Sequence, residues 1–305
     1  MYVQLAVLVI GVVGMAGNAL ILYALVASKQ HKKHMLIVNQ NALDLFSSFF
    51  LVLTYAVRLC NIPLSGASGY WLCIILISGV FTWWGLIGSV VNLAIITIDR
   101  YMMVVHHIWI KNRLQPWMIK SAMAFAWFAG IVSNTPFMLE TTGVVNGVCY
   151  TWILYKCHAA KIGSLVFYIL AFYVIILVIF IFCYGRILIV IRRQARVMAS
   201  HGAAGSSTSH TQSHHIQTNV IKTMIIVSAF YAIAWLPTNA YYAFIMIEPN
   251  RTYASIFWYA SIFAAFLYSA ANPFIYATKF DPVRRVLKGM IPFKNTSSIH
   301  ASDVS

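Results

Sequence analysis

Seven apolar runs dictate what this chain can become. They cover about 2–27, 36–59, 72–105, 117–139, 162–191, 221–247 and 255–277, and each exceeds the roughly 20 residues a helix needs to cross the hydrocarbon of a bilayer. Strands of a membrane barrel would be about ten residues long with alternating polarity, whereas these runs are long and apolar on every face. Of the 305 residues, 61% are hydrophobic and 9% charged, against roughly 45–50% and 25% in an ordinary soluble domain. A soluble globule is therefore excluded. A mean hydropathy of +0.79 excludes disorder as well, because a disordered chain lacks apolar surface to bury. The expected fold is an all-α membrane protein, a seven-transmembrane helix bundle.

The 21 Lys and Arg outnumber the 6 Asp and Glu, for a formal charge of +15. Because the excess sits in the connectors between runs, it reports membrane orientation and not nucleic-acid binding. Seventeen of these cations fall on one side, and four, Arg58, Lys156, Lys161 and Arg251, on the other. The positive-inside rule then places the carboxyl terminus in the cytoplasm of a multi-pass, plasma-membrane protein. Two features agree: the glycosylation sequon at Asn250 lies in an outward connector, and Cys149 and Cys157 lie in another, where a disulfide can persist. A second sequon, at Asn295, would face the cytoplasm and stay inert. Met1 lies almost inside the first run with no basic segment or cleavage site, so the first helix is expected to act as its own insertion signal.

The longest connector, about 199–218, reads as a low-complexity, disordered linker. Its histidines 201, 210, 214 and 215 are irregularly spaced and have no Cys or carboxylate beside them, which argues against a metal site. After the seventh run, Asp281 to Met290 carries basic residues on one side and Val283, Val286, Leu287 and Met290 on the other. A short amphipathic eighth helix lying on membrane lipid is expected there. Residues 291–305 are expected to be a disordered cytoplasmic tail, with Thr296, Ser297, Ser298, Ser302 and Ser305 as kinase targets.

An ionisable residue inside a span is costly unless paired, which makes it a functional candidate by default. Few occur here: Asp44 midway along the second run and Asp99-Arg100-Tyr101 at the end of the third. Asn18 lies in the first run, and Asn272-Pro273-Phe274-Ile275-Tyr276 lies near the end of the seventh. Trp235-Leu236-Pro237 interrupts the sixth. A Pro inside a helix removes one backbone hydrogen bond, so Pro237 and Pro273 are expected hinges.

Together these motifs, each in its own span, resemble the rhodopsin-like (class A) G-protein-coupled receptors, over nearly the whole chain and with 1–290 as the receptor domain. Asn18, Asp44, Arg100, Trp127, Pro237 and Pro273 match the most characteristic positions of six helices. The resemblance implies that Asp99 holds Arg100 at rest and releases it toward a heterotrimeric G protein when the sixth helix swings outward. It implies that Ile108 plugs into the G protein, that Tyr184 and Tyr276 pair on activation, and that Trp235 is a toggle beneath the ligand. Arrestin and receptor kinases follow as partners. It also implies an internal sodium pocket built by Asp44, Ser89, Ser269 and Asn272, whose oxygen donors suit a hard cation. No other cofactor is expected, and no enzyme activity, since no His, Cys or carboxylate side chains converge at triad or ligand spacing.

Departures from the pattern are Ile176 for a usual Pro, Tyr231 for Phe, Val90 for Ile, His107 for Pro, and Gln217 where some members carry a Glu that locks Arg100. Cys73 stands 27 residues before Arg100, two more than usual, yet still reaches the outer leaflet about 40 Å away at 1.5 Å per residue. The resemblance pairs it with Cys149 or Cys157; the reading favours Cys157, nearer the fifth helix. Thr82, where amine receptors carry an Asp, and Phe266, where opsins carry a Lys, argue against a monoamine salt bridge and exclude a Schiff-base chromophore. With Trp235 they mark the expected pocket for an extracellular ligand. The long connector from Glu140 to Lys161, with its aromatic and basic residues, suits a lid over a peptide, with a small neutral or lipid-like ligand as the alternative. A transporter is disfavoured, because only Asp44 is a midplane acid and no internal repeat is evident.

Overall fold

The computed structural model describes residues 2–151, 157–200, 208–247 and 255–290. Among these, seven helices are long and apolar enough to span a bilayer. The first span is α1 (Tyr2–Ala27) and the second α2 (Met35–Leu59). The third is interrupted: α3 (Gly66–Leu72), a π-helical turn (Cys73–Ile77) and α4 (Val80–Val105). A short helix α5 (His107–Arg113) leads to the fourth span, α6 (Pro116–Thr141), and then to a hairpin of β1 (Gly143–Val145) and β2 (Val148–Tyr150). The fifth span joins α7 (His158–Ile169) to α8 (Ile175–Ser200) through a second π turn (Leu170–Val174). The sixth and seventh spans are α9 (Thr208–Ile247) and α10 (Ser255–Lys279), followed by α11 (Asp281–Met290).

The third span is the hub, with 61% of its most apolar stretch buried against 17% for the fifth. Large apolar side chains such as Phe125, Phe128, Ile181 and Ile233 are exposed around the bundle, where hydrocarbon accepts them at no cost. Close approach needs small residues. A Cβ on Gly17 would stand 2.9 Å from the Pro273 ring, and one on Gly130 would run into the Trp84 carbonyl. These two glycines let the first span touch the seventh, and the fourth the third.

Irregular backbone is repaired by side chains from neighbouring spans, as a bilayer demands. Pro273 cannot bond the Ser269 carbonyl one turn back; Asn18 donates to that oxygen at 3.2 Å, and to Gly14 O at 2.9 Å. In the third span the chain turns left-handed at Gly79 (φ 73°). The Leu76 carbonyl, which also accepts from the Gly79 N–H, and the Ile77 carbonyl accept from Thr54 and Arg58 of α2, at 3.0 Å and 2.6 Å. This interruption absorbs the extra residues between Cys73 and Arg100.

Two expectations need correction. The connector read as disordered is helical from Thr208, continuing the sixth span. No Gly or Pro falls between Thr208 and Leu236, so a helix nucleated in the span can propagate through weak helix formers. Residues 201–207 lie outside the described residues, as do 291–305. The third span also begins earlier than expected, at Gly66. The eighth helix forms as expected, with Val283 buried and Arg284, Arg285 and Lys288 exposed.

Candidate ligand cavity and coupling core

At one end of the bundle the hairpin turns through Asn146 (φ 50°) and Gly147 (φ 76°), the two-residue turn whose twist matches paired strands. That turn sets the register Val144↔Cys149 and swings Cys149 back over the third span. Cys73 is bonded to Cys149, with Cα atoms 5.5 Å apart. The pairing with Cys157 is therefore wrong: Cys157 caps α7, exposed and free. Asn-Gly between valines is a hairpin signal legible in the sequence, and it would have pointed to Cys149.

Below the hairpin lies a cavity of about 500 Å3. Its wall is aromatic: Tyr55, Trp83, Trp235, Tyr241, Trp258 and Phe266 all line it, and Thr82 does too. The three residues expected to mark the pocket thus converge. Trp83 bridges Trp235 and Phe266, with ring centroids 6.4 Å and 6.1 Å away. Arg58 and Lys161 line the same cavity, and Arg58 also lies over the Tyr55 ring at 5.0 Å. Asn250 lies outside the described residues.

Beneath Trp235 the aromatic stack continues through Tyr231, which packs on Trp235, Phe180 and Tyr268. Its hydroxyl, the atom that distinguishes it from Phe, donates to the Phe172 carbonyl in the π turn of the fifth span. A Pro at 176 would have stripped that same carbonyl, four residues back, of its helical partner. Ile176 and Tyr231 are therefore a matched pair of departures: one leaves out the proline, and the other anchors the irregular turn.

At mid-depth the polar residues form a continuous chain. Trp127 Nε1 donates to Asn39 Oδ1 at 3.0 Å, and Asn39 Nδ2 to Asn92 Oδ1 at 2.9 Å. Asn92 Nδ2 donates to Gln40 Oε1 at 2.8 Å. Gln40 Nε2 donates to Ser89 Oγ and reaches Asp44 Oδ2 at 3.5 Å, while Asn272 Nδ2 donates to the same Asp44 oxygen at 2.8 Å. Asn39, Gln40 and Asn92 were not singled out from the sequence. Three carboxamides in a row before a midspan acid, Asn39-Gln40-Asn41, were the signal. Of the side chains expected to hold sodium, Asp44 Oδ1 and Asn272 Oδ1 have no protein partner, while other atoms are engaged. Ser89 accepts from Gln40, Asn272 offers Asp44 its NH2, and Ser269 Oγ donates to its own helix at Phe266 O, 3.1 Å away.

At the far end Arg100 Nη2 meets Asp99 Oδ2 at 2.9 Å. Tyr101 packs its ring on Phe182 and reaches His106 Nε2 at 3.3 Å. Tyr184 bonds Thr97 Oγ1 at 3.0 Å and Ser228 Oγ at 3.2 Å, tying the fifth span to the third and sixth. Tyr276 is fully buried against Phe280; no direct bond joins it to Tyr184 among the described residues. Ile108 is 70% exposed on α5. The sixth span is fastened to the eighth helix where Asn219 Nδ2 donates to Asp281 Oδ2 at 2.9 Å. His34, beside Phe280 at 5.1 Å, has its pKa lowered to about 4 by burial, reinforced by the Arg100 and Lys33 charges.

A cup with an aromatic floor at one end, a proline-hinged sixth span and an arginine-centred far end define a seven-helix receptor. The sequence profile of the 7 transmembrane receptor (rhodopsin family) matches residues 17–276, and this chain belongs to that family, whose members are receptors and not enzymes. It is 26% identical over 303 residues to melanopsin-A of Gadus morhua, covering 93% of this chain and 51% of the melanopsin. It is 23% identical over 218 residues to trace amine-associated receptor 9 of Rattus norvegicus, covering 68% and 62%. It is 24% identical over 287 residues to the substance-K receptor of Homo sapiens, covering 89% and 68%. The chain thus spans about half the length of the melanopsin it matches.

Proposed function

We propose that this receptor takes an extracellular ligand into the cavity beneath the hairpin and, by outward movement of the sixth span, opens the Arg100 end to a heterotrimeric G protein. The hairpin end would face outside and the carboxyl terminus the cytoplasm, as the 17 to 4 division of Lys and Arg favours. The observation that carries this reading is the unbroken line of contact from the cavity wall to Tyr184, which bonds Thr97 one turn before Arg100 on the third span. Trp83 touches Trp235, Trp235 touches Tyr231, and Tyr231 and Tyr184 both pack on Phe180. Tyr184 also holds the sixth span through Ser228. A ligand that pushes Trp235 strains that tether, and Pro237 lets the sixth span yield. Arrestin and receptor kinases are proposed as further partners of the opened Arg100 end and the Ser/Thr tail.

For the ligand we favour a peptide whose free carboxyl end enters the cup. Aromatic walls suit apolar side chains, while Lys161 and Arg58 supply the positive charge a terminal carboxylate needs. The volume of the cavity also supports a small, lipid-like acid as a second reading. The substance-K receptor is named for a peptide. The trace amine receptors are named for amines, but a cationic amine finds Thr82 and no carboxylate among the described wall residues. Phe266 likewise stands in place of a chromophore-bearing Lys. The test is a G-protein biosensor screen of free-acid peptides, their carboxamides and lipid-like acids, repeated with Lys161→Gln, Arg58→Gln and Arg100→Ala. Free acids should act alone, Lys161→Gln should weaken them at least tenfold, and Arg100→Ala should silence the biosensor. Equal potency of acids and amides would defeat the ligand assignment, and full signalling by Arg100→Ala would defeat the coupling assignment.

A further inference from the structure

We infer that Gln40 takes the place of a metal cation at the buried carboxylate of the second span, so that this receptor's core is held together without sodium. Gln40 and Asp44 are one helical turn apart and face the same way. Both are fully buried. The Gln40 amide nitrogen lies between the two groups a cation would have to bridge, donating to Ser89 Oγ and reaching Asp44 Oδ2 at 3.5 Å.

The direction of the amide follows from its far end. Gln40 Oε1 accepts from Asn92 Nδ2 at 2.8 Å, and Asn92 Nδ2 also donates to the Leu36 carbonyl at 3.0 Å. Asn92 Oδ1 is already taken by Asn39 Nδ2 at 2.9 Å, so Asn92 cannot turn round. Asn39 is held in its turn by the Trp127 indole N–H. Flipping Gln40 would set N–H against N–H at Asn92 and oxygen against carboxylate at Asp44. The donor end of Gln40 therefore points at the acid.

A hard cation such as sodium needs several oxygen lone pairs directed at one point. Here Ser89 spends a lone pair on Gln40, and Asp44 Oδ2 receives two N–H groups. The oxygens left without a protein partner are Asp44 Oδ1 and Asn272 Oδ1. A cation would have to enter there, beside the carboxamide, and that is the arrangement to test against. Gln40 acts on Asp44 as a positioning residue: it supplies from the chain the positive end of a dipole, and ties the second span to the third whatever salt is present.

The experiment uses the full-length protein purified in detergent and needs no agonist, so its result is independent of the receptor assignment. Thermal unfolding is followed in sodium chloride and in choline chloride of equal ionic strength. The unaltered chain should melt at the same temperature in both. Gln40→Leu, which keeps the volume and removes the amide, should gain a sodium-specific rise of about 3–5 °C, and adding Asp44→Asn should abolish it. Gln40→Met serves if the leucine variant does not fold. A sodium-specific rise in the unaltered chain would overturn the inference, because it would place the ion beside Gln40. A Gln40→Leu or Gln40→Met protein that folds but ignores sodium would overturn it too, because the amide would then not be what stands in for the ion.

Discussion

The first four spans and the sixth are fastened by different chemistry. At mid-depth among spans one to four, and on to the seventh, carboxamides carry most of the ties: Asn18 to the Ser269 carbonyl, Trp127 to Asn39, Asn39 to Asn92, Asn92 to Gln40, and Asn272 to Asp44; hydroxyls and Arg58 add bonds from the second span to carbonyls of the third. Asn18, Asn39, Asn92 and Gln40 each make two or more bonds, at least one of them to another helix. The sixth span is held instead by single hydroxyls, from Tyr184 to Ser228, from Tyr173 to the Ala232 carbonyl and from Tyr231 to Phe172 O, together with aromatic faces. Thr238 Oγ1 and Asn219 add one bond each at its two ends. An amide lattice has one arrangement, whereas ring faces and lone hydroxyls can slide and re-form. The helix proposed to move is the one fastened by the weaker kind of tie.

The largest effect should come from the covalent tie at the hairpin. Cys73→Ser or Cys149→Ser should remove surface expression or ligand binding, measured by antibody staining of intact cells, whereas Cys157→Ser should leave both unchanged. Next, Asn92→Ala deletes three hydrogen bonds and takes the partner from Asn39 Nδ2 and from Gln40 Oε1. It should lower stability by roughly 2–4 kcal/mol in thermal or denaturant unfolding. Tyr184→Phe should cost only about 1 kcal/mol while raising agonist-independent biosensor signal, because it frees the sixth span from the third. If Tyr184→Phe destabilised as much as Asn92→Ala, the contrast between the two halves would fail.

Tyr231→Phe sharpens the contrast further. It removes the hydroxyl bond to the π turn, costing about 1 kcal/mol, and should change basal signalling more than folding. The smallest effect concerns pH. A His34 pKa near 4 in the folded protein, against about 6.5 when unfolded, means the unfolded chain takes up the proton first as pH falls. Stability conferred by the neutral imidazole is intact above pH 6.5 and declines from there down to about pH 4. His34→Phe should flatten that decline in unfolding experiments between those limits.

Much of this molecule was legible from residue order. Span positions and the amphipathic eighth helix follow from apolar periodicity, and Asp44, Arg100, Trp235 and Pro273 announce themselves by being out of place in a bilayer. The convergence of Thr82, Trp235 and Phe266 was legible only through the family resemblance. The bridge runs to Cys149 and not to the expected Cys157 because the Asn146-Gly147 turn, and not nearness to the fifth helix, decides which cysteine returns over Cys73. The helix from Thr208 escapes a reading by composition, which says nothing about a neighbouring helix that can be extended.

What residue order determined, then, is what is governed by transfer from water to hydrocarbon: how many spans, which stretch of chain forms the apolar middle of each, and which polar groups must find partners. Which partners they find was decided by tertiary structure. Asn18 meets the carbonyl freed by Pro273, Tyr231 meets the Phe172 carbonyl, and the Gln40 amide turns toward Asp44 because Asn92, 52 positions away, holds its other end. Solvent transfer is a property of each segment alone, but a hydrogen bond between spans exists only once two helices have been set at one distance and one rotation.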